Sequence, residues 1–453
     1  MQGHHRKYLL QTFGCQMNVH DSEIIAGILE KEGYVPARDP EEADLILFNT
    51  CCVRENPERK VYGRVGDLKR LKEKKPDLII GICGCMVQQE GELEKIKEQL
   101  PHVDLVFGTH NIHRLPELLH QVEAGIKHAY EVWDEEREER DGLVEGLPVK
   151  REGDLKAWVT IMYGCDNFCS YCIVPYVRGR ERSRPFEEII AEVTELGREG
   201  YKEVTLLGQN VNAYGKGLPE KVDFADLLAA LDRIPGIERI RYTTSHPRDF
   251  SSKLIKTIAA SRKVCEHFHL PLQAGSDKIL RKMNRGYTSR RYLDLVAEIR
   301  EHVPGSSITT DLIVGFPGET EEDFQATLDM IRKVEFDSAF TFIYSPRRGT
   351  AAARMPDQVP EDEKRDRIYR LIEVQNEISL RKNEALKGRV VEVLVEGESE
   401  TNPALLQGRT RTNKLVLFAG DRDALYGKLV DVRVTEPQTW VLKGELASGG
   451  EPV

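Results

Sequence analysis

AWVTIMYGCDNFCSYC, residues 157–172, runs from a short apolar strand into three cysteines spaced C-x3-C-x2-C. Downstream of Ala157–Tyr163 the strand pattern returns at Glu203–Gly208, Arg239–Ser245, His267–Gln273, Ser307–Phe316 and Ser338–Ser345. Helical patterns lie between, starting near Phe186, Asp223, Ser251, Asp277 (with a second start at Ser289) and Glu321. Six strand–helix units predict an incomplete form of the eight-unit parallel barrel, whose active site lies at the carboxyl ends of its strands. Cys165, Cys169 and Cys172 directly follow the first strand and belong at that rim. Three thiolates on one loop suit three irons of a four-iron cluster and leave the fourth iron without a protein ligand. Catalytic metal sites keep such an open position for substrate or cofactor. Structural zinc is the alternative, but it prefers four ligands in paired C-x2-C units, and no second pair lies nearby.

Upstream, the first 120 residues also alternate strands and helices. Strands are predicted at Tyr8–Phe13, Ala43–Asn49, Asp77–Cys83 and Val103–Phe107. Helices are predicted from a cap at Asp21 or Ser22 to Lys31, from Glu58 to Lys74, and over Gly91–Gln99. Strands apolar on both faces and separated by helices imply a parallel sheet covered on both sides. Cys15, Cys51 and Cys85 each fall just beyond a strand's carboxyl end, the edge where open α/β sheets bind ligands. A lone cysteine there reads as a small buried hydrophobe. Three at equivalent positions read as a metal site.

The remaining chain supplies a highly charged connection within 131–156, a helix over Glu361–Ala385 and a β-rich tail. In the tail, Val390–Val395, Lys414–Phe418 and Leu429–Val434 predict a small antiparallel barrel. The fold class is therefore α/β: a parallel-sheet domain (6–124), a linker (125–150), a partial (β/α)6 barrel (151–381) and a small β-barrel (384–446).

Over 453 residues, 40% hydrophobic and 31% charged composition excludes a disordered chain, a collagen and a disulfide scaffold. No apolar run reaches the roughly 20 residues a bilayer span needs, and the N-terminal run is too short for a signal peptide. A cytoplasmic protein without membrane contact is expected. The nine cysteines are odd in number, and a reducing compartment favours metal binding over disulfides. A net charge of −10 argues against general polyanion binding, although Arg178, Arg180, Arg182 and Arg184 cluster and Arg347 and Arg348 are adjacent. The bland reading of such runs is a solvated face.

The C-x3-C-x2-C spacing, with Tyr171 before the third cysteine, resembles the radical S-adenosylmethionine (SAM) enzymes. The resemblance implies a 4Fe–4S cluster on Cys165, Cys169 and Cys172 whose open iron chelates SAM and cleaves it to a 5′-deoxyadenosyl radical. It implies that Gly208, Gln209 and Asn210 meet the amino group of SAM. It also implies that Gly315 and Gly318, within Leu312–Glu319, let backbone approach the adenosine.

Nearly the whole chain is similar to the methylthiotransferases within that superfamily. The segments carrying this are Thr12–Asn18, Asn49-Thr50-Cys51 with Val53-Arg54-Glu55, Gly84-Cys85-Met86 and Tyr344–Arg347. The family implies a second 4Fe–4S cluster on Cys15, Cys51 and Cys85, and a C-terminal RNA-binding TRAM domain. The segments resemble the branch that methylthiolates C2 of N6-dimethylallyl (isopentenyl) adenosine at position 37 of tRNA, using one SAM as methyl donor and a second as radical source. Implied partners are tRNA, through its anticodon loop, and an electron donor such as flavodoxin or ferredoxin. A chain with its own RNA module can act as a monomer. Arg409, Arg411 and Lys414 are the candidate RNA contacts, since residues 386–446 are nearly charge-balanced and only a few basic side chains are free for the task.

Three features depart from the family pattern. Cys52 stands where a small polar residue is usual, Cys83 adds a thiol two residues before Cys85, and Ala274 replaces a common serine. In an extended strand Cys83 and Cys85 point the same way, so either can reach iron. Cys265 is expected to be structural. The competing functions are methylthiolation of threonylcarbamoyl adenosine in tRNA, methylthiolation of a ribosomal-protein aspartate, and a non-catalytic iron–sulfur RNA-binding protein.

Overall fold

A computed structural model describes residues 6–52, 55–133 and 146–447, with the side chains of 55–57 and 59 left aside. Val53 and Arg54 of the signature above lie outside the described residues. So do 134–145 of the expected linker, including most of a helix considered over Glu131–Arg140.

The first domain is a wholly parallel six-stranded sheet in the order β2-β1-β3-β4-β5-β6. Its strands are β1 (Lys7–Thr12), β2 (Val35–Pro36), β3 (Leu45–Thr50), β4 (Ile79–Gly84), β5 (Leu105–Phe107) and β6 (Ala129–Glu131). In β3, Leu45 and Leu47 pack with the layer of helices Gln16–Lys31 and Leu115–Glu123. Ile46 and Phe48 pack with the opposite layer, with Val61, Val65 and Ile96. That two-sided burial is why the central strands read as continuous apolar runs. The edge strands β2 and β6 are too short to show a pattern in sequence.

Two helix expectations are corrected. The first helix starts at Gln16 with Cys15 in the N-cap position, not at Asp21 or Ser22. Those two polar residues are buried inside it because their partners lie elsewhere. Ser22 Oγ shares a hydrogen bond with Thr12 (2.7 Å) and accepts one from Asn49 Nδ2 (2.9 Å), and Asp21 meets Arg178. The predicted helix Glu58–Lys74 is two helices, Glu55–Asp67 and Lys69–Lys74, broken at Leu68.

The central domain carries the six expected parallel strands, as β7 (Lys156–Thr160), β10 (Glu203–Leu207), β11 (Arg239–Tyr242), β12 (His267–His269), β13 (Ser307–Val314) and β14 (Ser338–Ile343). A short antiparallel pair, β8 (Met162–Tyr163) with β9 (Arg182–Ser183), brackets the cysteine loop. Hydrogen-bonded ladders join β7-β10-β11 and β12-β13-β14, and an Ile240–Val264 bridge links the two halves. Alternate residues Val204, Leu206, Ile240, Tyr242, Ile308 and Leu312 form one core with the outer helices. Asp223 and Ser251 cap two of those helices, accepting from the N–H groups of Asp226 and Leu254.

The tail is a closed barrel of β15 (Val390–Ser399), β16 (Asn402–Thr410), β17 (Leu415–Phe418), β18 (Leu429–Pro437) and β19 (Val441–Leu446). It is antiparallel except for β17 against β19, a parallel pairing that completes closure. No helix among the described residues is long and apolar enough to cross a membrane.

Candidate functional site

The loop after β8 is held by unusual backbone and by bonds to neighbouring segments of the same domain. Gly164 has φ +69°, and a Cβ there would strike the carbonyl of Arg180. The Cys165 N–H donates to the Gly179 carbonyl (3.2 Å), and the Cys172 N–H to that of Cys169 (2.9 Å). Ser170 ties the loop to the segment after β12, its N–H donating to Met283 O (3.0 Å) and its hydroxyl to Lys282 O (2.8 Å). Cys165 and Cys169 are buried and Cys172 is half-buried. Two N–H donors point at the sulfurs: Asn167 Nδ2 lies 3.3 Å from Cys165 Sγ, and Arg285 Nη1 lies 3.3 Å from Cys169 Sγ. Burial pushes the Cys165 thiol up to about 11 and the Cys172 thiol up to about 12. Their conversion to thiolates therefore awaits a cation that replaces the proton.

Polar atoms without partners line the strand ends beside this loop. Gln209 Oε1, Asn210 Oδ1 and His246 Nε2 are buried and make no hydrogen bond. His246 Nδ1 accepts from the Arg248 N–H (3.2 Å), so its Nε2 is a free donor beside two free acceptors, and such unpaired polar atoms are costly unless a ligand supplies partners. Asn210 Nδ2 donates to Asp249 (2.8 Å), which fixes the amide with its oxygen free. Gly208 leaves room for the Met162 side chain, 2.5 Å from where a Cβ would stand. Gly315 and Gly318 have φ +72° and +77°. The space at Gly315 is taken by the Lys364 stem and that at Gly318 by the Lys282 ammonium, so the close approach at both is by the chain's own lysines.

The second trio assembles from three strand ends. Cys15 stands in the N-cap position of the first helix without a capping side-chain bond, Cys51 follows β3 and Cys85 follows β4. Asn18 sits among them. Its Nδ2 donates to the carbonyls of Phe13 and Thr50 (2.9 Å each), and its Oδ1 lies 3.8 Å from the sulfurs of both Cys15 and Cys85. Gly14, at φ +123°, admits Cys51, since a Cβ there would be 2.5 Å from Cys51 Cβ and 2.9 Å from its sulfur. Cys85 packs with Cys52, Ile173 and Val177, the last two just after Cys172. The two trios thus face one interface.

Cys83 is separated from this cluster. It packs into the apolar layer of Leu47 and Leu105, because Gly84 (φ +92°) ends the strand and breaks the alternation that would align it with Cys85. The Cys85 thiol is drawn down to about 6, first by the hydrogen bond from Cys52 and then by the Arg178 cation, against burial.

Both sulfur sets suit an iron–sulfur cluster in chemistry: soft ligands with N–H donors aimed at sulfur, with Cys15 exposed and the other five buried or half-buried. Among the described residues no three metal-binding side chains are gathered for a single ion. A multi-iron cluster spaces its ligands more widely.

The chain matches three family models: "Radical SAM superfamily" over residues 159–331, "Uncharacterized protein family UPF0004" over 7–108 and "TRAM domain" over 384–447. It is 59% identical over 443 residues to the tRNA-2-methylthio-N(6)-dimethylallyladenosine synthase of Desulforamulus reducens, covering 98% of this chain and 96% of that one. The protein of the same name from Carboxydothermus hydrogenoformans is 57% identical, covering 97% and 99%. The chain belongs to the tRNA-2-methylthio-N(6)-dimethylallyladenosine synthase family. Among solved structures, the radical SAM methyltransferase TsrM from Kitasatospora setae shares the fold, with a TM-score of 0.56 at 16% identity over 77% of each chain.

In this synthase-family chain the TRAM barrel packs against the amino ends of the central strands, and the RNA candidates lie at that contact. Arg411 pairs with Glu266 (2.6 Å) and donates to Val264 O (2.9 Å). Lys414 bonds Asp337 (3.0 Å) and Asn383 (2.8 Å). Arg409 donates to Asn413 O (3.2 Å), and its own carbonyl accepts from Arg239 (2.6 Å). The first two are occupied in fastening the domains together. Of the arginine run, Arg184 bonds Glu192 (2.8 Å), exposed Arg180 bonds Asp166 (2.8 Å), and Arg178 is buried between the domains.

Asn18, Arg285 and Asn167 touch the cysteines and were not singled out from sequence. Asn18 lies within Thr12–Asn18, one of the segments that carry the family resemblance. Arg285 carried no signal, because only the folded barrel brings it to Cys169. Cys265 is buried beside Arg241 and away from both trios.

Proposed function

We propose that this chain adds a methylthio group to C2 of N6-dimethylallyladenosine at position 37 of tRNA, consuming two SAM molecules. The observation that supports it above all is the pair of cysteine trios on two domains that meet at one interface through Cys85, Ile173, Val177 and Arg178. Cys165, Cys169 and Cys172 would hold one 4Fe–4S cluster, and Cys15, Cys51 and Cys85 the other. When bound, the first supplies an electron and an open iron for SAM cleavage, and the second supplies the sulfur. The chain's own residues prepare that chemistry. Asn167 and Arg285 donate N–H groups to the ligand sulfurs. The free oxygens of Gln209 and Asn210 accept from the ammonium of SAM. The cofactor would carry the hard step, and the chain's residues would bind and orient it. A loop adenosine can be splayed from its stack to reach this rim. A flavodoxin or ferredoxin supplies the electron, and the reaction takes place in the cytoplasm.

The test is incubation of anaerobically reconstituted protein with SAM, a reductant and isopentenylated tRNA lacking the methylthio group, followed by nucleoside mass spectrometry. The 2-methylthio nucleoside is the expected product. Formation of 5′-deoxyadenosine without it would move the assignment to threonylcarbamoyl adenosine or a ribosomal-protein aspartate. Absence of both would overturn the radical chemistry.

A further inference from the structure

Arg178 belongs to the central barrel, yet its guanidinium ends inside the N-terminal domain. Nε lies 3.2 Å from Cys85 Sγ, while Nη2 donates to Asn18 Oδ1 (2.9 Å) and Asp21 Oδ2 (2.6 Å). Only 8% of the residue is exposed, and Asp21 and Asn18 are buried with it. The charge is permanent, since guanidinium does not deprotonate in proteins. Its fork reaches a sulfur, an amide and a carboxylate at once, which an ammonium cannot do with the same geometry. Through Asn18 Oδ1, equidistant at 3.8 Å from Cys15 and Cys85, the same contact fixes the group lying between two of the three sulfurs.

We propose that Arg178 is a positioning residue for the auxiliary cluster: it holds Cys85 and Asn18 in register from the neighbouring domain and sets the cluster's reduction potential by its charge and its N–H···S bond. The proposal rests on the reading that Cys15, Cys51 and Cys85 bind that cluster. Net charge and hydrogen bonds to sulfur are the main protein levers on iron–sulfur potentials. A cation at the ligand sulfur favours the reduced, more negative cluster. Asp21, on the far side of the same guanidinium, acts with opposite sign. A role as interdomain glue alone predicts no such pair of opposite effects.

The experiment uses the full chain with Cys165, Cys169 and Cys172 changed to alanine, so that only the auxiliary site can load. Iron per chain and the midpoint potential are measured for this parent and for added Arg178→Gln, Arg178→Lys and Asp21→Asn. Arg178→Gln is expected to disfavour reduction about tenfold, a shift of about 59 mV to lower potential for one electron. Arg178→Lys restores part of it, and Asp21→Asn moves the potential upward. If Arg178→Gln loads too little iron to titrate, Arg178→Lys supplies the Arg178 arm of the pair, with a smaller downward shift expected against the upward shift of Asp21→Asn. Equal potentials in parent and variants, or shifts of one sign, would overturn the assignment to Arg178 alone. A parent that binds no iron would instead overturn the auxiliary cluster itself, and this proposal with it.

Discussion

Cys165, Cys169 and Cys172 sit on one loop, while Cys15, Cys51 and Cys85 meet only after three strands have paired. Burial raises the Cys165 and Cys172 thiols, whereas Cys52 and Arg178 draw the Cys85 thiol down. The local trio has its spacing from one loop, held in place by bonds to Gly179, Lys282 and Met283 of the same domain. The dispersed trio borrows its geometry from the sheet and part of its electrostatics from another domain. Damage to the first should therefore be confined to one step, and damage to the second should report on packing.

The largest expected effect separates the two outright. Cys169→Ala should abolish 5′-deoxyadenosine formation, whereas Cys85→Ala should keep it and lose only the methylthiolated nucleoside, both read by mass spectrometry. If Cys85→Ala also stops SAM cleavage, the trios are not functionally distinct. Next come the glycines that precede each trio. Gly14→Ala and Gly164→Ala both force a side chain into left-handed backbone, at about 1–3 kcal/mol each. Gly14→Ala also drives a methyl against Cys51 and should lower auxiliary iron without touching the other site. Gly164→Ala presses on the Arg180 carbonyl and should do the reverse, as iron assays on single-site backgrounds would show. The smallest effect is Cys83→Ala. With Cys83 in the apolar layer, it should cost about 1 kcal/mol in chemical denaturation and leave iron content unchanged. A loss of iron there would place Cys83 among the ligands.

How much was legible in sequence follows the same division. The C-x3-C-x2-C loop and the strand–helix alternation are local patterns, and the six barrel strands fall where apolar period and helix caps put them. The register of Cys83 against Cys85 hinged on Gly84 leaving extended backbone, which strand periodicity does not encode. Arg178 was visible only as one member of a charged run, because its burial depends on a domain more than 150 positions away in sequence, at Asn18 and Asp21. Arg411 and Lys414 looked available for RNA because nothing local reveals which face of a small barrel docks. β16 and β19 went unseen because neither carries the apolar run that marks a strand from sequence.

The seating of that small barrel has a consequence for traffic. Residues 409–414 bond Arg239, Arg241, Glu266, Ser307 and Asp337, all at the amino ends of neighbouring central strands. The central barrel is thereby a vessel with a floor. Access to the cysteine rim is thereby kept from the amino end and left to the carboxyl side of the strands and to the flank between β7 and β14, which do not pair with each other.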